Sequence, residues 1–297
     1  MKTINNIIVN LKVIFTNYGF YICIIFTLIL CLSTGIYFDA VTNNEYSVIR
    51  SLITFDKEFM LGNIDFCSMN IVIKGSGSWL SMFIPIISSF SFIPFICDES
   101  ESKAKRNIIF RSSKLSFHSS RFISACVSGG IAVMLGYILF TVLSYIVFPN
   151  FNEYSSEMQD MYKDTLKYLY PKSPEYGMMY ILILKYAEMF IFGFFSVVPA
   201  ITLTAVSKNK YVVLCIPFFL KYSITQSCLK LSAKAYVDQE NIDEKLIKLV
   251  CIISPDSILE LFESEYQKWI IVYNISIVVV LFFVYMIIQN RRFDCGE

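Results

Sequence analysis

DESESKAKRNIIFRSSKLSFHSSR, residues 98–121, separates two apolar stretches that are each long enough to cross a bilayer. It opens with three acids, Asp98, Glu99 and Glu101, and continues with six bases, Lys103, Lys105, Arg106, Arg111, Lys114 and Arg121. Lysine and arginine concentrate on the cytoplasmic side of membrane proteins, so a loop of this kind orients the whole chain. Ile108, Ile109 and Phe110 form an apolar knob inside it. A charged cytosolic loop rarely exposes such a knob without a partner or a membrane to cover it. The flanking charges can steer a partner into place. The plainer reading is that the bases only anchor to anionic lipid headgroups.

Composition points the same way. The 297 residues are 56% hydrophobic and 16% charged, with a mean hydropathy of +0.58. A soluble domain carries about 25% charged residues. The expectation is an all-α, polytopic membrane protein with one transmembrane domain over 1–297, in the cell (plasma) membrane. About 20 apolar residues cover the roughly 30 Å hydrocarbon core. Six stretches meet that length: 18–38, 78–97, 122–148, 179–206, 211–229 and 269–289. Residues 1–17 place Ile4, Ile7, Ile8, Leu11, Ile14 and Phe15 at helical spacing between Asn and Lys, which reads as an interfacial amphipathic helix. A frayed terminus is the bland alternative.

With both termini inside, the inner segments 1–17, 98–121, 207–210 and 290–297 hold 12 Lys and Arg. The outer loops 39–77, 149–178 and 230–268 hold 11 in roughly twice the length. The denser short loops therefore face inward. Trp79 and Trp269 then fall at outer interfaces. Two outer segments carry pattern of their own. Tyr154, Met158, Met161, Tyr162, Leu166 and Leu169 make a helical stripe, and 242–253 is half apolar ahead of Ser254-Pro255-Asp256. The latter segment is expected to dip into the outer surface or to pack on the spans.

Small residues repeat along one face of the third span (Ala125, Gly129, Ala132, Gly136) and of the fourth (Gly193, Ser196, Ala200, Thr204), as close helix approach requires. The intramembrane charges are sharper signals. Lys185 and Glu188 lie three residues apart in the fourth span and can pair. Lys221 lies mid-way along the fifth, with no acid in its own span. A charge at that depth costs roughly 2.5–3.5 kcal/mol on insertion scales, so it must face protein or water, with Glu188 as its expected partner. The bland reading is snorkelling toward the surface.

Enzyme chemistry finds no support. Gly75-Ser76-Gly77 lacks the lysine of a phosphate-binding loop, and HExxH, GxSxG and an intramembrane aspartate pair are all absent from the sequence. The nine cysteines form no CxxC, and His118 is the only histidine, so a metal cluster is not expected. Cys67, Cys228 and Cys251 lie near the outer surface, where a disulfide would be permitted. A formal charge of +1 gives no reason to expect a nucleic acid partner.

Asp98-Glu99 at the end of span two, the basic segment after it and the Ser120-Arg121 step into span three resemble the permease subunits of type-2 ABC exporters. The run Ile252-Ile253-Ser254-Pro255-Asp256-Ser257-Ile258-Leu259-Glu260-Leu261 before the last span is also similar to that family. The resemblance implies that 98–121 is a coupling loop lying on a separately encoded ABC ATPase. Glu99, Glu101, Arg106, Ile108, Ile109, Phe110 and Arg111 would be its contact residues. It implies a second permease subunit, identical or sister, and ATP and Mg bound by the partner rather than by this chain. Independently of the resemblance, the depth of Lys221 and Glu188 makes them the expected lining of a substrate or gating cavity, with Lys185 the third intramembrane charge. The competing class is a non-transporting scaffold or sensor that recruits a soluble partner through 98–121. A secondary transporter is the third option, without visible repeats or an ion site.

Overall fold

A computed structural model describes residues 2–41, 43–101, 113–170, 177–235 and 244–294. Those residues form thirteen α-helices and a single two-stranded antiparallel hairpin. The amphipathic helix α1 covers Lys2–Thr16, and α2 covers Tyr18–Ser33 at 65° to it. Asn17 caps α2 by accepting from the Gly19 amide. The hairpin pairs β1, Gly35–Asp39, with β2, Asn44–Ser47. Short helices follow: α3 (Val48–Thr54), α4 (Lys57–Leu61) and α5 (Ser68–Lys74). Then come α6 (Ser78–Phe90), α7 (Ile93–Glu101), α8 (Lys114–Val147) and α9 (Ser156–Leu169). The last four are α10 (Met178–Leu203), α11 (Lys210–Ala235), α12 (Glu244–Ile253) and α13 (Gln267–Asp294).

Four helices, α8, α10, α11 and α13, are long and apolar enough to cross a membrane alone. The bent pairs α1–α2 and α5–α6 would bring the number to six. The first expected span, 18–38, is shorter as a helix than the sequence suggested. Ser33 and Thr34 fold their hydroxyls back onto the Leu30 carbonyl, and Gly35 starts a strand instead. The sixteen residues of α2 rise about 24 Å, less than the bilayer core. The third span is longer than expected. Ser113 caps it by accepting from the Ser116 amide, and it runs to the residue before Phe148-Pro149, where the pre-proline restriction stops it. Its 34 residues span about 51 Å.

The helix α8 is the axis of the bundle, with α10, α2 and α1 packed along it. The small-residue stripe of α8 serves two neighbours. A β-carbon on Gly136 would lie 2.6 Å from Thr27 of α2, and one on Gly193 of α10 would lie 2.8 Å from the Gly129 carbonyl oxygen. The α8–α10 crossing is therefore backbone against backbone. The α10 stripe divides: Gly193 faces α8, while Ser196 borders a cavity described below. Outside the bundle, Tyr37, Phe55, Phe59 and Phe66 make an aromatic cap. It is pinned by the Tyr154 hydroxyl on the Met60 carbonyl, 3.2 Å, and by Tyr137 on the Val72 carbonyl. The stripe expected in 149–178 forms α9, with Tyr162 and Leu166 buried and Met161 exposed.

Adding a methyl at Gly193 must push apart two backbones, which costs about 1–3 kcal/mol. Gly193→Ala should therefore lower the unfolding midpoint of the purified protein. Gly62→Ala, where the nearest atom lies 3.4 Å away, should stay within about 0.5 kcal/mol of the parent.

Candidate functional site

Two lysines buried among the helices organise the region where the sequence expected a cavity. Lys185 and Glu188 sit one turn apart on α10, 2% and 0% exposed, with Nζ 2.9 Å from Oε2. The expected pair forms, and it is part of a larger cluster. Lys185 Nζ is also 2.7 Å from Glu263 and donates to the Leu259 carbonyl at 3.1 Å. The second oxygen of Glu188 accepts from the Phe262 amide at 3.0 Å. The Tyr170 hydroxyl donates to Glu263. Burial, and then that hydrogen bond, push the Tyr170 phenol upward, so it remains a donor.

Lys221 on α11 is 9% exposed. Its acid is Asp256, at 2.9 Å, not Glu188 as the sequence suggested. Lys221 Nζ also donates to the Ser81 carbonyl and, at 3.1 Å, to the Ser81 hydroxyl. That hydroxyl in turn donates to Asp256. The geometry has a simple cause in α6. Pro85 lies four residues after Ser81 and has no N–H, so the Ser81 carbonyl loses its helical donor. Lys221 supplies the missing proton. Nζ also lies 4.3 Å from the centroid of the Phe192 ring, within the range of a cation–π contact.

Both clusters close on one segment, Ser254–Glu263. Helix α12 stops ahead of Pro255, which opens a 3-10 turn over Pro255–Ile258. The segment that follows is irregular backbone wedged beside α6, α10 and α11. Irregular backbone among spans needs its N–H and C=O groups satisfied from within. Glu188 takes the Phe262 amide and Lys185 the Leu259 carbonyl. The ion pairs thus hold a strap across the bundle. Removing one partner of a buried pair leaves an uncompensated charge, at about 3–5 kcal/mol.

Two cavities flank the strap. A polar one of about 360 Å³ touches Lys74, Ser81, Lys185, Asp256, Glu260 and Glu263. An apolar one of about 370 Å³ lies among α6, α10, α11 and α13, with Lys221 in its wall. Pro85, Pro199 and Pro217 all border the apolar cavity. Each lies inside a helix, where it removes one backbone hydrogen bond.

The residues expected to contact an ATPase divide. Arg106, Ile108, Ile109, Phe110 and Arg111 fall in 102–112, outside the described residues, and the side chain of Glu101 is outside them too. Glu99 is described, and it turns inward: its side chain is 9% exposed and pairs with Arg121, 4% exposed, at the start of α8. Arg121 also lies 4.2 Å from the Phe117 ring centroid. Asp98 reaches Lys210 at 3.2 Å. Together these pairs tie the end of α7 to α8 and α11. Cys67, Cys228 and Cys251 are free thiols, so none of the outer candidates forms a disulfide. Among the described residues no three His, Cys, Asp or Glu converge on a metal geometry.

Ser81, Tyr170, Asp256 and Glu263 were not foreseen as site residues. The available signal was an acid-bearing, proline-broken segment next to a span that needed an acid.

Asp256→Asn and Lys221→Met should each destabilise the protein, by less than the about 3–5 kcal/mol of a fully buried pair because the Asp256 side chain is 34% exposed, and the double variant should recover part of the loss. A double-mutant cycle in detergent unfolding should give a coupling of about 0.5–3 kcal/mol for Lys221 and Asp256. The coupling between Lys221 and Glu188 should be smaller.

No protein-family profile matches the chain, and no curated protein or solved structure is detectably similar to it.

Proposed function

We propose that this chain is the membrane-spanning permease subunit of an ATP-binding-cassette exporter. It would cross the plasma membrane six times with both termini inside, pair with a second permease, and be driven by a separate ATPase. The observation that carries this reading is the stack of two cavities around Lys185 and Lys221. Charges at that depth are retained where they line a path or a switch. A bundle held by packing alone has no need of a strap fastened by two ion clusters.

The inner end supports the reading in a second way. The Arg121–Glu99 and Lys210–Asp98 pairs clamp the base of loop 98–121 onto α8 and α11. A push on that loop would then act on the long axial helix and on one wall of the apolar cavity together. The apolar knob Ile108-Ile109-Phe110 is the proposed contact for the ATPase, and Glu99 works as a clamp for the loop rather than as a surface charge.

The test is co-purification. The tagged chain, expressed in its native cell, should bring down a P-loop ATPase. Ile109→Asp should abolish the capture while leaving the amount of membrane-inserted chain unchanged. A stable chain that captures no ATPase would overturn the assignment in favour of a scaffold. Orientation has its own check in a cysteine-free background. A membrane-impermeant thiol reagent on intact cells should label Val41→Cys, in the outer hairpin, and leave Ser113→Cys unlabelled until the membrane is opened.

A further inference from the structure

The apolar cavity beside Lys221 opens sideways. Leu220, Ile224 and Ile277 line it and are nevertheless exposed at the protein surface. Helices α11 and α13 both pack on α10 but make at most marginal contact with each other among the described residues. The mouth is the gap between them. Both helices are long and apolar enough to cross a membrane, so in a bilayer the mouth faces hydrocarbon. On α13 the lining residues Tyr273, Ile277 and Leu281 recur every fourth position and so share one face. They continue a row that begins at the exposed Trp269, a residue type of membrane–water interfaces. From Trp269 to Leu281 the row rises about 18 Å, which leads from an interface into the cavity.

The wall recognises little besides hydrocarbon. Lys221 is its one charged side chain. The ammonium is committed to the Ser81 carbonyl, the Ser81 hydroxyl and Asp256, three partners for its three N–H groups. Thr202 donates to the Val198 carbonyl and Asn274 to the Ile270 carbonyl. A headgroup held here would have to break such bonds. An apolar cavity of about 150 Å³ already stays dry and binds benzene, and this one measures about 370 Å³. Left empty, its lining loses dispersion contacts. A lipid tail restores them at no hydrophobic cost, because it leaves surroundings as apolar as the wall it joins. At roughly 30 Å³ for each small group, on the scale of liquid water, the volume takes about a dozen chain carbons, the portion of one tail.

We propose that this cavity is a binding site for one acyl chain of a bilayer lipid. The chain enters between α11 and α13 and completes the wall that the two helices leave open, while the headgroup and the second chain stay outside the mouth. The site reads the chain and not the headgroup, and it stands without the permease reading.

The test places the full chain in nanodiscs whose phosphatidylcholine carries a photoreactive diazirine near the end of one acyl chain. Tails label any outer surface, so the informative positions are Phe192, Thr202 and Pro217, which line the cavity and are buried. Cross-links are expected at these positions. Ser196→Phe, which fills the cavity from α10, should lower them at least fivefold while labelling of the exposed Val279 and Val280 stays unchanged. Thr202→Phe is a second filling variant, read at Phe192 and Pro217, and should act alike, so that a fault particular to one substitution is recognised. Phosphatidylglycerol with the same labelled chain should mark the buried positions to within threefold of phosphatidylcholine. Labelling confined to exposed residues overturns the proposal. So do buried cross-links that persist in both filling variants, and so does a headgroup preference greater than threefold. The measurement uses no ATPase, so a failure of ATPase capture would remove the permease reading and leave this site.

Discussion

The requirement that irregular backbone among membrane helices be satisfied from inside the protein governs this structure. Ser254–Glu263 is such a backbone, set between two helices where a simple bundle would have a surface loop. It stays there because buried side chains answer its polar groups: Glu188 the Phe262 amide, Lys185 the Leu259 carbonyl, and Lys221 the Asp256 carboxylate. Each of those groups is affordable only in company. Lys185 without Glu188 and Glu263, or Lys221 without Asp256, would be a bare charge in a low-dielectric interior. The strap and the lysines therefore require one another, and the cavities on either side follow from the room the strap occupies.

Proline has a double part in this arrangement. In α6, Pro85 withdraws the donor for the Ser81 carbonyl, and Lys221 replaces it. Pro199 and Pro217 border the same apolar space from α10 and α11. A lysine that answers a proline-orphaned carbonyl is held at a defined height in the bundle. Snorkelling, the plainer account of an intramembrane lysine, would send Nζ toward water. Here Nζ points at a helix backbone, an aspartate and an aromatic ring.

Much of the fold was legible in the sequence. Apolar length and charge density located the long helices, and the i, i+3 spacing of Lys185 and Glu188 foretold their pair. Small-residue periodicity foretold that α8 would be a close-packing helix, though not that Gly129 and Gly136 serve different partners. What periodicity could not supply was contact across long stretches of chain. Lys221 and Asp256 are separated by the rest of α11, residues 236–243 and α12, and nothing local couples them. The first span was overread for a similar reason. Ile36, Tyr37 and Phe38 are apolar enough to continue a helix, yet Tyr37 and Phe38 pair with Tyr46 and Glu45 beyond the turn, and Ile36 sits at the register shift between Gly35 and Tyr37. Glu99 looked like a surface charge because its partner, Arg121, lies across a loop that the linear pattern presents as solvent-exposed throughout.

The division between axial and outer helices constrains how such a protein could open. Half of the apolar stretch of α10 is buried, and its backbone touches α8 directly at Gly129 and Gly193. Moving α10 away from α8 would forfeit a close backbone seam. The helices α11 and α13 are held more lightly, with less than a third of their apolar stretches buried. Displacing either one exchanges protein contact for lipid contact at little hydrophobic cost, because lipid tails are as apolar as the side chains they replace. Helix α11 carries Lys221, however, so it cannot move far while Asp256 holds it. Opening by α11 therefore has to break the Lys221–Asp256 pair or carry the strap along. Helix α13 is tied to the strap by the chain itself, only residues 264–266 separating Glu263 from Gln267, so displacement of α13 has to pivot about that end.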